Sequence, residues 1–264
     1  MESIGLDMLA LLAAAGMIAG FVDSIAGGGG LLTVPALLWA GLTPAQALAT
    51  NKLQSCFGSF SATLKFVRSG ELDPRAIKKM IVCTFIGASA GALLVQAINP
   101  EFLRSAIPVM LVGIAIWLLV QPKAGEIDAH QRIGTTAFAL TAAAGIGFYD
   151  GVFGPGTGTF FAIAFVSLLG FNLKKATAHT KALNFTSNIA ALLMFLAGGQ
   201  IVWTVGLAMG VGQYVGAHIG AHLVVRNGAK LVRPVLVTAS LAITAKIVIS
   251  DENNLLRDLA ALIF

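Results

Sequence analysis

The chain predicts an all-α integral membrane protein, and three observations carry that prediction. Of its 264 residues, 57% are hydrophobic and only 11% charged, and the mean hydropathy of +0.86 exceeds what a soluble fold of this size needs. Apolar runs approaching the roughly 20 residues that cross a bilayer cover most of the length. These runs lack period-2 alternation, which selects helices over an outer-membrane barrel.

Breaks at Gly, Pro and charge clusters divide the chain into apolar pieces near 5–22, 31–41, 45–66, 76–98, 102–120, 133–150, 158–170, 174–197, 200–225 and 229–249. The first ends at Asp23 and the glycine run Gly27-Gly28-Gly29-Gly30. The second covers about 16 Å at 1.5 Å per residue, near half of the hydrocarbon thickness, so it cannot span alone. Pro44 opens the third and Arg68-Ser69-Gly70 closes it; the fourth and fifth follow Pro74-Arg75 and Pro100. The polar stretch 121–132 then separates an N-terminal repeat, 1–120, from a C-terminal repeat, 133–250, and a short tail of interfacial character, 251–264. That makes five pieces per half, or about eight helical membrane segments when the two short arms are counted with their partners.

The halves match. Gly20-Phe21-Val22-Asp23 before the glycine run corresponds to Gly147-Phe148-Tyr149-Asp150 before Gly154-Pro155-Gly156-Thr157-Gly158 in the second half. Gly41-Leu42-Thr43 then matches Gly170-Phe171-Asn172, and Ala47 to Lys52 matches Ala176 to Lys181, with two residues inserted in the second copy. An internal duplication explains this better than chance.

Charge decides how the halves are oriented. If 5–41 crosses once, the basic loops fall on opposite faces, against the positive-inside bias. If 5–22 and 31–41 instead form a re-entrant hairpin, Lys65, Arg68, Arg75, Lys78, Lys79, Lys123, Arg132, Lys174, Lys175, Arg226, Lys230 and Arg233 share one face. Only Arg104 and Arg257 sit opposite. The expectation is therefore two inverted repeats, each a re-entrant or broken hairpin plus three transmembrane helices, with basic loops cytoplasmic and termini outside. Gly5 to Phe21 is longer than a half-span, so the first arm tilts or begins outside the hydrocarbon. The N-terminus lacks the basic segment of a cleaved signal peptide, and this arm is expected in the mature protein.

Each hairpin tip starts a short helix whose first N–H groups have no intrahelical partner and, with the dipole, attract anions. Gly27, Gly28, Gly29 and Gly30 form one tip; Gly154, Gly156, Thr157 and Gly158 form the other. The plainer reading of such glycines is close helix packing. Lys52 and Lys181 stand at matching positions about 12 Å along their helices, and a charge at that depth marks a functional candidate. They offset a bound anion or neutralise Asp23 and Asp150 as structural ion pairs, and the two roles are compatible. Asn51, Thr180, Asn184 and Asn188, with Gln54 and Ser55 nearby, can hydrogen-bond an oxyanion or serve as interhelical glue.

Other features point elsewhere. Cys56 and Cys83 read as buried hydrophobes. His179 reads as interfacial. His218 and His222 have the spacing of a helical metal pair but no second ligand cluster, so no metal and no cofactor is expected. Gly212, Gly216 and Gly220 form a packing ladder against the other half. The net charge of +5 resides in short loops rather than one stripe, which excludes a nucleic-acid partner.

These residues resemble the sulfite exporter TauE/SafE family, and most closely its YfcA-like branch of bacterial inner-membrane transporters. The likeness rests on Asp23 to Pro35 with Ala49-Thr50-Asn51-Lys52, on Tyr149 to Gly158 with Ala178-His179-Thr180-Lys181, and on Leu183 to Asn188. It implies a secondary transporter of small sulfur-containing anions such as sulfite or sulfonates. The expected partners are a small anion, a coupling proton carried by Asp23 or Asp150, the bilayer, and a second copy if the chain is a homo-oligomer. Pro155 and Thr157 depart from a plain glycine run, so the two tips need not bind alike. The alternatives are a cation or metal carrier using Asp23 and Asp150, and an intramembrane enzyme, for which no hydrolase motif is present.

Overall fold

The computed structural model describes residues 5–99 and 130–227, with 101–103, 106–107, 109–110 and 113 between them; the expected segment 229–249 and the tail 251–264 lie outside the described residues. All regular elements among these are helical. In order they are α1 (Leu6–Ala26), α2 (Gly30–Trp39), α3 (Pro44–Arg68) and α4 (Lys78–Gln96). A composite α5 follows, made of Thr135–Phe138, a π-turn Ala139–Ala143 and Ala144–Val152, then α6 (Thr157–Leu169), α7 (Leu173–Gly198) and α8 (Trp203–Asn227). Three are long and apolar enough to cross a membrane, at Leu6–Ile25, Lys78–Gln96 and Leu173–Gly198, while α2 and α6 are shorter apolar helices.

Local chemistry sets the boundaries. Thr43 caps α3 in a reciprocal box with Gln46, followed by Pro44 at the first helical position, and Asn172 caps α7 by accepting from the Lys175 amide. Gly41 and Gly170, both at positive φ, terminate the short helices before each cap. The breaks are narrower than the sequence indicates. Asp23 and Asp150 both lie on the last turns of their helices, and only 27–29 and 153–156 leave the helical path. The first arm accordingly reaches Ala26 rather than ending near 22.

The layering inverts that of a soluble bundle. α3 and α7 lie at the centre and bury polar side chains, among them Thr50, Lys52, Gln54, Lys181 and Ser187. The outer faces of α1, α4 and α8 expose Leu11, Ile18, Phe85, Ile86, Val211 and Ile219. Hydrocarbon around the molecule makes that distribution stable, since lipid takes apolar side chains at no cost while buried polar groups find partners inside.

Each half is completed by the other. α1 packs along α8 and α5 along α4, through glycines where a Cβ would strike opposing backbone. Gly216 abuts Met17 and Phe21 of α1; its counterpart in the first half, Gly87, abuts Ala144 and Phe148 of α5. Gly20 against Gln213 is likewise answered by Gly147 against Thr84. The separation of Gly87 from Gly216 exceeds that of Gly20 from Gly147 by two positions. That difference locates the two-residue insertion between these helices, where α6 is longer than α2. The expected ladder of Gly212, Gly216 and Gly220 thus packs on α1.

Contact order also fixes direction. Gly16, Gly20 and Phe21 meet Met209, Gln213 and Gly220 in turn, so α1 runs parallel to α8. Thr50, Phe57 and Ser61 meet Val202, Gly210 and Tyr214, so α3 does too. α2 returns beside α1, its Leu37 packing with Leu12 near the α1 start. One apolar cluster joins the last turns of α1, α3, α6 and α8 to the first turns of α4, α5 and α7, through Ile25, Phe66, Met80, Phe138, Leu169 and Val224. The cations Lys65, Arg68, Arg75, Lys78, Lys79, Arg132, Lys174, Lys175 and Arg226, at helix ends and in the loops between them, flank this end, where Lys174 pairs with Glu71 at 2.6 Å and Lys79 donates to Thr136.

Candidate functional site

The two breaks meet inside the molecule. A Cβ at Gly27 would fall on the backbone of Gly158 and Thr159, and one at Gly30 on Pro155. Glycine is required here for two reasons at once, close approach and the positive φ of Gly27, Gly28, Gly154 and Gly156. Tyr149 steadies the second tip by donating its hydroxyl to the Pro155 carbonyl.

Two ion pairs flank the tips, and both cross between halves. Lys52 of α3 donates to Asp150 Oδ1 at 2.9 Å and to the Asp150 backbone carbonyl. Lys181 of α7 donates to Asp23 Oδ2 at 3.0 Å and to the Asp23 carbonyl. Each ammonium therefore meets a carboxylate and a last-turn carbonyl, the negative end of a helix dipole. Full burial of both lysines, near 1% exposed, is sustained by this double pairing.

A small polar cavity of about 20 Å³ opens between the tips, above the roughly 10–15 Å³ that one water needs. Gly28, Gly30, Gly154, Gly156, Thr157 and Gly158 contribute to its wall, together with Asp23 and Asp150. α3 adds Asn51 and Ser55, and α7 adds Asn184 and Asn188. Asn51 accepts from Thr33 at 2.6 Å and from Gln54 at 2.7 Å, while the Asn188 amide donates to the Asn184 carbonyl at 2.7 Å. The expected residues Gly27, Gly29, Lys52, Thr180 and Lys181 do not line the cavity. Gly27 forms the contact between tips, Gly29 donates its N–H to Asp23 Oδ1 at 3.1 Å, and the lysines stand behind the carboxylates.

Gln213 of α8 also lines the cavity and was not among the expected site residues. Its signal in the sequence is a lone amide on an apolar helix, between Gly212 and Gly216. His179 is 8% exposed, bonded through Nδ1 to the Lys175 carbonyl and set against the rings of Phe165 and Phe171 near the start of α7. His218 and His222 are exposed. Among the described residues, no three His, Cys, Asp or Glu side chains gather as a metal site would require.

Known proteins share this sequence over nearly its full length. The sulfite exporter TauE/SafE family pattern matches residues 12–247. The chain is 51% identical over 247 residues to the probable membrane transporter protein YfcA of Escherichia coli, covering 94% of this chain and 92% of that protein. It is 46% identical over 257 residues to the probable membrane transporter protein ORF9 of Sinorhizobium, covering 97% and 98%. A shorter match, 30% identical over 102 residues, covers 38% of this chain and 24% of the sulfite exporter TauE/SafE family protein 6 of Arabidopsis thaliana. No solved structure matches the chain. The family pattern over residues 12–247, with near-complete alignment to the Escherichia coli and Sinorhizobium proteins, places the chain in the sulfite exporter TauE/SafE family of membrane transporters.

Proposed function

We propose that the protein is a secondary transporter of small anions, sulfite or organosulfonate in type, which works by alternating access across the cytoplasmic membrane with its halves as inverted repeats. The observation that carries this reading is the meeting of two helix starts, one from each half, around one polar cavity. First-turn amides and helix dipoles there favour negative charge. Each carboxylate already has an ammonium partner, so the paired helix starts are the net charge the site offers a ligand, which favours an anion over a cation carrier.

Helix directions support the inverted arrangement. α1 and α3 run toward the basic end whereas α5 and α7 start from it, and the positive-inside bias assigns that end to the cytoplasm. Asn184, Asn188, Ser55 and Gln213 supply the neutral donors that fix an oxyanion, and Asp23 or Asp150 carries a coupling proton.

Counterflow of labelled sulfite in proteoliposomes tests the reading. Competition by sulfite and short alkylsulfonates, with divalent cations inert, is the expected result. Flux that divalent cations compete and anions do not would transfer the site to the cation reading with Asp23 and Asp150 as ligands.

A further inference from the structure

Duplication makes Asp23 and Asp150 equivalent in sequence, yet their carboxylates are held differently. Both oxygens of Asp23 are engaged, Oδ1 by the Gly29 N–H and Oδ2 by Lys181. At Asp150 both side-chain donors converge on one oxygen: Oδ1 accepts from Lys52 and shares the Thr157 hydroxyl, at 2.9 Å, with the Gly154 carbonyl at 2.7 Å. Oδ2 is buried and has no hydrogen-bond partner, on a residue 3% exposed that lines the cavity.

The difference follows from the second tip's sequence. Gly29 is in the right-handed region, with φ −52°, and turns its amide onto Asp23. Its repeat counterpart, Gly156, follows Pro155 and adopts φ +84°. The amide that serves Asp23 is replaced at Asp150 by the hydroxyl of Thr157, which binds the oxygen that already holds Lys52.

We propose that Asp150 Oδ2 is the proton-binding site of this transporter, that Asp23, with both oxygens engaged, serves as a structural carboxylate, and that one proton accompanies each anion. A buried carboxylate oxygen without a donor carries a full desolvation penalty, and a proton relieves it. The proton also removes the negative charge that Asp150 otherwise sets against an anion in the cavity it lines. It arrives from water on the entry side and returns to water on the exit side, and no other bond changes. The groups around Asp150 are Lys52 and Cys56 from α3, Tyr149 on its own helix, and Thr157 from α6. From α7, Asn184 and, behind Gly158, Lys181 face the same space; α4 meets this turn with Ala88, Gly91 and Ala92. The coupling half of this inference rests on the anion reading, whereas the proton site does not.

Infrared difference spectroscopy on the full chain in lipid, stepped in pH without any anion, tests the site. The C=O band of a protonated carboxylic acid is expected in the wild type and in Asp23→Asn, and its loss in Asp150→Asn. A wild type without the band, as when a resident water satisfies Oδ2, overturns the proposal; so does a band lost in Asp23→Asn and kept in Asp150→Asn. Should Asp150→Asn not fold, Asp150→Glu must shift the band, and an unshifted band overturns it. In proteoliposomes with a trapped pH dye, sulfite entry should carry protons in the wild type, while Asp150→Asn flux ignores an imposed pH gradient. Wild-type flux that ignores the gradient removes the coupling. Absence of any sulfite or sulfonate flux removes the anion reading and leaves the infrared result to decide the proton site.

Discussion

Lys52 reaches from α3 in the first half to Asp150 at the end of α5 in the second, 2.9 Å away, and its repeat mate Lys181 makes the reciprocal contact with Asp23 at 3.0 Å. The lysine of each half neutralises the broken helix of the other. Neither half can complete its own charge pairing, so any rocking between the halves must move or remake these bonds.

Lys52→Met leaves the Asp150 carboxylate buried without its cation and should destabilise the protein by about 3–5 kcal/mol, read as a lower midpoint of thermal unfolding in detergent. The double variant Lys52→Met with Asp150→Leu should recover most of that loss, because apolar replacement removes both desolvation penalties. Transport should stay abolished in the double variant. A double variant as unstable as the single one would show that the pair is not what the site needs for folding.

Asp23→Asn should lower the unfolding midpoint less than Asp150→Asn. The Asp23 side chain is 19% exposed and that of Asp150 4%; both lysines are buried, but water can approach the Lys181 pair from the position-23 side and is excluded around Asp150. Equal losses would mean that burial does not control the difference.

Helix approach through glycine gives a steric prediction. A Cβ at Gly91 overlaps the Phe148 carbonyl and one at Gly216 the Met17 carbonyl, so Gly91→Val and Gly216→Val should each cost about 1–3 kcal/mol by overpacking. Gly145→Ala meets nothing within 4 Å and should be neutral or slightly stabilising, as alanine is the better helix former. Comparable unfolding midpoints for all three variants would contradict the packing scheme.

Orientation can be read by labelling in intact cells, on a background with Cys56 and Cys83 replaced by Ala. Ala76→Cys and Arg226→Cys, both exposed at the basic end, should be protected from an impermeant maleimide. Gln200→Cys, exposed in the α7–α8 turn, should react. Opposite reactivity for Ala76→Cys and Arg226→Cys would dismantle the inverted arrangement.

Ligand stabilisation separates wall residues from supports. Saturating sulfite at 100 times its Kd should stabilise the fold by about 2.7 kcal/mol. Gln213→Leu and Asn184→Leu should fold and lose most of this stabilisation, since each removes a polar group from the cavity. An unchanged sulfite shift in Gln213→Leu would return that residue to a packing role on α8.

Much of the architecture was legible because it rests on local chemistry. Helix extents followed from Gly, Pro and charge punctuation, and Thr43 and Asn172 begin their helices as caps do. The matching breaks announced the duplication. Each break is narrower than expected, the first arm running on past Asp23 to Ala26 and the second past Asp150 to Val152. On the last turns of their helices Asp23 and Asp150 are held by lysines from the opposite half, and no periodicity within one half reports that. The surroundings of His179 were hidden for a related reason: its depth along α7 says nothing of the Phe165 and Phe171 rings that enclose it.

The sequence by itself determined a helical, lipid-facing chain built of two similar halves, with Lys52, Lys181, Asp23 and Asp150 as its intramembrane charges, because hydropathy and repetition are properties of the chain alone. Only the tertiary structure decided which lysine meets which carboxylate, that Gln213 lines the cavity, and that Asp150 keeps one oxygen unpartnered while Asp23 keeps none. Those outcomes depend on the direction in which each helix passes its neighbour and on one turn of backbone at Gly156, and residues from opposite halves of the chain must be brought together before either takes effect.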